Sequence, residues 1–141
     1  IWKYNQVING TKGENVPAKT YCEIYAKYML PAIRAYLSRE LVLKHGLSQF
    51  RVSKILGVKQ SAVNYFVKGT RKPRYMSIVE NTKEFREMLN ALANQLAKGS
   101  PFDKCYVCNM IHSNSRVLEA ILQAFATEKI IRCKHIEAGV S

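Results

Sequence analysis

Two groups of residues in this chain have the types and spacing that chemistry needs. The first is Lys59, Gln60, Ser61, Asn64 and Tyr65, a run of hydrogen-bonding side chains on what the local pattern makes the opening turns of a short helix. Side chains of this kind read base edges, and glutamine and asparagine are suited to adenine. The second is Cys105-x-x-Cys108, whose spacing puts two sulfurs on one metal ion or cluster. Neither group is hydrolytic machinery. Acid–base or metal hydrolysis calls for clustered carboxylates or histidine pairs, whereas the ten acidic residues are scattered and Glu80, Glu84 and Glu87 read as one solvated helix face. The expectation is a binding protein and not an enzyme.

Charge says what it would bind. Lys and Arg number 22 against 10 Asp and Glu, a formal net charge of +12 on 141 residues, so a polyanion is the natural partner. From Leu41 to Val79 there is no acidic residue, while Lys44, Arg51, Lys54, Lys59, Lys68, Arg71, Lys72 and Arg74 all fall inside. A basic helix lying on a membrane would be one sustained amphipathic stretch, but this region is broken at His45-Gly46, Gly57 and Gly69. Nucleic acid is therefore the better match. No apolar run approaches the roughly 18 residues of a membrane span, and no signal peptide is visible, so a soluble cytoplasmic protein without a membrane partner is expected.

The elements that must position these residues follow from periodicity. Residues 1–20 read as an irregular arm with one short strand at Ile1 to Val7. Ile24, Met29, Leu30, Ile33, Leu37 and Leu41 recur at helical spacing; Pro31 marks the first turn of the main helix after a separate or kinked lead-in, and Gly46 stops it. Two short helices follow, at about 48–56 and 60–68, too short to persist unless packed on each other and on the long helix. After the basic loop Gly69-Thr70-Arg71-Lys72-Pro73-Arg74, Ser77-Ile78-Val79-Glu80 has the capping-box pattern. Behind it Phe85, Met88, Leu89, Leu92 and Leu96 make one stripe ending at Gly99 and Pro101. Cys105 to Cys108 reads as a knuckle-like turn, and residues 115–126 as a further helix through Leu118, Ile121, Leu122 and Phe125.

The predicted fold is all-α: a helix-turn-helix domain of four to five helices over 21–76, then a small cysteine-containing helical region over 77–141. In the stretch Gln49 to Gly69, QFRVSKILGVKQSAVNYFVKG, the small Ser53 sits where two helices approach, Gly57 where the backbone reverses, and Val58, Val63 and Phe66 plug the core. This stretch resembles the lambda-repressor and Cro family of helix-turn-helix regulators. The family pattern is met without insertion by Gln49, Ser53, Gly57, Val58, Ser61, Val63, Phe66, Gly69 and Arg71; Val67 departs from it where many members place a glutamate that ties down the following loop.

The resemblance implies sequence-specific reading of double-stranded DNA for transcriptional regulation. Gln49 and Gln60 would work together at base edges, Ser61 and Asn64 would contact base or phosphate, and the loop basics would grip the backbone. With the surrounding cations and polar groups, the expected DNA-binding set is Gln49, Arg51, Lys59, Gln60, Ser61, Asn64, Tyr65, Lys68, Thr70, Arg71, Lys72 and Arg74. One small reader contacts few bases, so a homodimer on half-sites about 34 Å apart is expected. The stripe from Ile78 to Leu96 is the candidate surface, although such a helix stripe more often forms intramolecular core, the favoured assignment. A non-specific architectural protein that uses the charge without reading sequence is the functional alternative.

Cys22 and Cys133 complete a set of four cysteines with Cys105 and Cys108, the count of a full coordination sphere, with buried apolar fillers as the alternative for both. A shared site would clamp the N-terminal arm onto the C-terminal half. The layout is similar to a group of archaeal regulators in which Cys-Glu and Pro-Ala-x-Arg elements precede the reader and Cys-x-x-Cys follows it; Cys22-Glu23 and Pro31-Ala32-Ile33-Arg34 stand in those places. An iron–sulfur cluster, possibly of the [4Fe-4S] type, would make the protein a redox or iron sensor, and Zn2+ would make the site a structural staple. The dispersed ligands favour the cluster. His112 could replace a missing cysteine, His45 suits the C-terminal end of its helix, and His135 reads as solvated.

Overall fold

A computed structural model describes residues 19–69, 73–125 and 130–131, and the described chain is all-α apart from one two-residue parallel pairing, Lys19–Thr20 (β1) with Ile130–Ile131 (β2). The strand expected at Ile1 to Val7 lies outside the described residues. Seven helices follow β1. The first, α1, runs without interruption over residues 21–44, opened by the Thr20 hydroxyl, which accepts from the Glu23 N–H at 3.2 Å. Its lead-in is joined to the main helix and not separate from it. Pro31 has no N–H to give the preceding turn, and that turn, Tyr25–Met29, widens to π geometry, with the Leu30 N–H reaching back to the Tyr25 carbonyl. A second wide turn, Glu40–Lys44, ends at His45, and Gly46 at φ 68° turns the chain so that the Leu47 N–H bonds the Leu41 carbonyl at 3.0 Å.

Helix α1 is central because it is apolar on most of its circumference. Tyr21, Ile24, Tyr25, Met29, Leu30, Ile33, Leu37 and Leu41 are all buried, each large aliphatic side chain contributing about 1.5–3 kcal/mol by leaving water. Around it pack α2 (Gln49–Leu56), α3 (Gln60–Lys68), α4 (Met76–Asn81) and α5 (Lys83–Ala97). The last two helices, α6 (Lys104–Ser113) and α7 (Ser115–Ala124), pack on each other and meet at Asn114, whose side chain caps α7 by accepting from the N–H groups of Arg116 and Val117 at 3.2 Å. One apolar core runs from Tyr21 to Phe125. The aromatic rings of Tyr28, Tyr75 and Phe125, with centroids 4.6–5.3 Å apart, tie α1, the approach to α4 and the end of α7 together.

One expectation for the C-terminal half is corrected, and one alternative is decided. The long helix behind the capping-box pattern is broken: Thr82, with φ −106° and ψ 108°, separates α4 from α5, and α4 begins at Met76, so Ser77 lies inside a helix and caps nothing. The Asn81-Thr82 pair is a poor helix interior, and the Arg86 guanidinium donates to the Glu80 carbonyl that the break leaves open. The stripe proposed as a dimer surface is core, since Phe85, Leu89, Leu92 and Leu96 are buried within the single chain. Among the described residues no helix is long and apolar enough to cross a membrane.

Candidate nucleic-acid interface

The unit that presents the polar residues is built from three local devices. Ser48 has extended backbone and its hydroxyl accepts from the Arg51 N–H at 3.1 Å, which opens α2 at Gln49. Gly57, at φ 69° and ψ 36°, closes α2 in the left-handed region that L side chains resist; its N–H and that of Val58 both bond the Ser53 carbonyl, at 2.9 and 3.1 Å. Ser53 itself is buried and turns its hydroxyl inward to the Phe50 carbonyl at 2.6 Å, so a small side chain fills the crossing point without an unmet donor. Extended Lys59 then starts α3, its carbonyl accepting from the Ala62 and Val63 N–H groups.

Helices of eight and nine residues would not hold alone. Val52 and Leu56, four residues apart, and Val63 anchor them to the core at 0–1% exposure. That anchoring fixes which way the rest of α3 points. Lys59, Gln60, Ser61 and Lys68 are exposed, Tyr65 retains 44% of its surface, and Asn64 is half-buried. Gln49 reaches across the corner from α2, donating from Nε2 to the Asn64 Oδ1 at 3.4 Å, and so joins the first turn of one helix to the face of the other. Arg51, Lys54 and Arg74 are exposed around this surface. Thr70, Arg71 and Lys72 lie outside the described residues.

Electrostatically the surface has cations and no carboxylate of its own, because the stretch between Glu40 and Glu80 contains none. Lys44 is drawn away from it by an ion pair with Glu40 at 3.1 Å, one helical turn back. One feature was missed from sequence: Phe50 stands 58% exposed on α2 with the Lys54 ammonium 5.3 Å from its ring centroid. Phe50 falls off the Val52/Leu56 stripe, and that offset is the signal from which its exposure could have been read. Arg74 makes the corresponding contact with Tyr75, 5.5 Å from the ring centroid.

The cysteine residues present a different picture from the knuckle expected. Asp103 caps α6, its carboxylate accepting from the N–H groups of Cys105 and Tyr106 at 2.9 and 3.1 Å, so Cys105 and Cys108 lie three apart on the first turns of a regular helix. Both are free thiols, Cys105 exposed and Cys108 buried. Burial, and then the neighbouring Cys105, push the Cys108 thiol up to about 11. Burial, followed by the same Cys108, also holds the Tyr21 and Tyr25 phenols well above the usual range. Tyr25 donates to the Lys104 carbonyl at 2.9 Å, and His112 sets its ring edge-on to Tyr21 with centroids 5.3 Å apart.

Cys22 is in a disulfide, so its sulfur is not available there as a thiolate. Cys133 and His135 lie outside the described residues. Among the described residues no three His, Cys, Asp or Glu side chains are grouped to hold a metal, and the free pair supplies only two of the four donors of a closed site. His45 occupies the C-terminal cap of α1. Comparison of the chain with protein-family models, with curated proteins and with solved structures finds no match, so the likeness to helix-turn-helix regulators rests on the residues from Gln49 to Arg71 themselves.

Proposed function

We propose that the protein is a sequence-specific double-stranded DNA-binding regulator of transcription, a helix-turn-helix protein with α3 as the recognition helix in the major groove. The observation that carries this reading is the outward row of Lys59, Gln60, Ser61 and Tyr65 on a helix whose opposite side is pinned by Val63. A glycine corner at Gly57 closes α2 ahead of that helix, whose first turn is exposed, and the contact between Gln49 and Asn64 gives the two helices one shared polar edge. Glutamine and asparagine supply paired donors and acceptors for base edges, while Arg51, Lys68 and Arg74 flank them at positions suited to phosphates. The protein would act as a homodimer on half-sites about 34 Å apart, joined through a surface other than the buried α5 stripe.

The test is selection of duplexes from a random library, followed by competition between the selected and random sequences across a salt series. A regulator retains preference for the selected duplex at every salt concentration, and each phosphate contact contributes about 0.9 to the salt slope. Equal binding to both pools would make the protein an architectural one that uses only its charge.

A further inference from the structure

We propose that Cys105 and Cys108 are a redox-active dithiol, with Cys105 as the sulfur that meets an external disulfide and Cys108 as the sulfur that resolves it into an intrahelical bond. This inference does not depend on the DNA-reading proposal. Cys22 is already oxidised, and Cys105 and Cys108 remain as an isolated reduced pair among the described residues.

Position divides the labour between the two sulfurs. Cys105 is exposed beside Tyr106, itself 52% exposed, so a small disulfide can reach it, whereas Cys108 at 6% exposure cannot be approached from solvent. Side chains three apart on a helix have Cβ atoms about 5–6 Å apart, and a disulfide needs about 3.5–4.5 Å. The first turn must therefore tighten by about 1 Å. It has the means to do so, because the N–H groups of Cys105 and Tyr106 are held by the Asp103 side chain and not by a preceding helical turn. The cap can follow the backbone as it closes.

The step balances with an external disulfide as oxidant. The Cys105 thiolate attacks one sulfur of a small disulfide and expels a thiolate, leaving a mixed disulfide. Cys108, its proton passing to the departing thiolate, then attacks the Cys105 Sγ and expels the second thiol. Two protein S–H bonds are lost, one S–S bond forms, and the oxidant becomes two thiols. Because Tyr25 holds the Lys104 carbonyl and Cys108 is buried in the same core as Tyr21 and Tyr25, the closing turn bears on the start of α1.

The full chain, treated with oxidised glutathione in chelator and mapped by proteolysis and mass spectrometry, tests this. The expected product has an internal Cys105–Cys108 bond and no retained glutathione. In Cys108→Ser the reaction stops at glutathione bound on Cys105, and in Cys105→Ser the Cys108 thiol stays unmodified. A wild-type product that keeps glutathione on Cys105, a cross-link from Cys105 to any other cysteine, or stoichiometric metal held by the pair in protein purified without chelator would each overturn the proposal.

Discussion

Replacing Gly57 by alanine interrogates the corner on which the candidate interface depends, and the sign of the effect is diagnostic. Gly57 has φ 69° and ψ 36°, and a Cβ built there meets no atom within 4 Å. Steric collision therefore contributes nothing, and the cost is that of holding an L residue in the left-handed region, about 1–2 kcal/mol. With a urea m-value of about 1–3 kcal/mol/M for a domain of this size, the midpoint falls by about 0.3–2 M at unchanged m. Gly57→Asn should lose less, since asparagine tolerates this conformation. If α2 and α3 were instead one continuous helix, the same alanine would stabilise by about 1 kcal/mol, because glycine is the poorer helix residue by that amount. Equilibrium urea denaturation followed by circular dichroism measures both variants. A raised midpoint for Gly57→Ala would refute the corner and with it the outward placement of Gln60.

Three further predictions concern the surrounding structure. Leu89→Ala should cost about 2–5 kcal/mol in thermal or chemical denaturation, with a midpoint that does not change with protein concentration, because Leu89 is core within one chain; a concentration-dependent loss would return the α5 stripe to a dimer interface. Asp103→Ala should destabilise by about 1 kcal/mol through loss of the α6 cap, with Asp103→Asn close to wild type; equal loss in both would show that the carboxylate charge and not the cap matters. Burial, then Glu40, raise the Tyr36 phenol from 10.0 to about 12, so its favourable contribution is complete below about pH 10 and disappears as pH climbs toward 12. Denaturation midpoints across that range should fall less steeply for Tyr36→Phe than for wild type, and identical slopes would count against the assignment.

How much of this was legible in the sequence differs between the two halves. The bounds of α3 and the stops at Gly46 and Gly57 were readable because each rests on a local rule that no distant contact opposes: glycine tolerates positive φ, and a short apolar stripe must face the core. Ser48, where the first short helix is read to begin, is the N-cap of α2. The break at Thr82 was not readable, because the apolar stripe continues in phase across it and the Ser77-x-x-Glu80 spacing imitates a helix start within the first turn of α4. The Arg86 guanidinium on the Glu80 carbonyl spans the break, a contact that apolar spacing does not announce. The Cys-x-x-Cys spacing by itself suits a knuckle, but an aspartate immediately before Lys104 and Cys105 is an N-cap, and it makes the same spacing helical. The state of Cys22 depends on which sulfur the fold brings to it, and spacing carries no such information.

Reading of bases by α3 is tested most directly by the base-by-base specificity profile of wild type and Gln60→Ala on duplexes selected by the wild-type protein. Gln60 is exposed on the first turn of α3, so its removal should leave the fold and the overall affinity for random duplex unchanged. Preference should drop by about 1–3 kcal/mol at one base pair of each half-site while the remaining positions keep theirs. A profile identical to wild type, or a uniform weakening at every position, would contradict it.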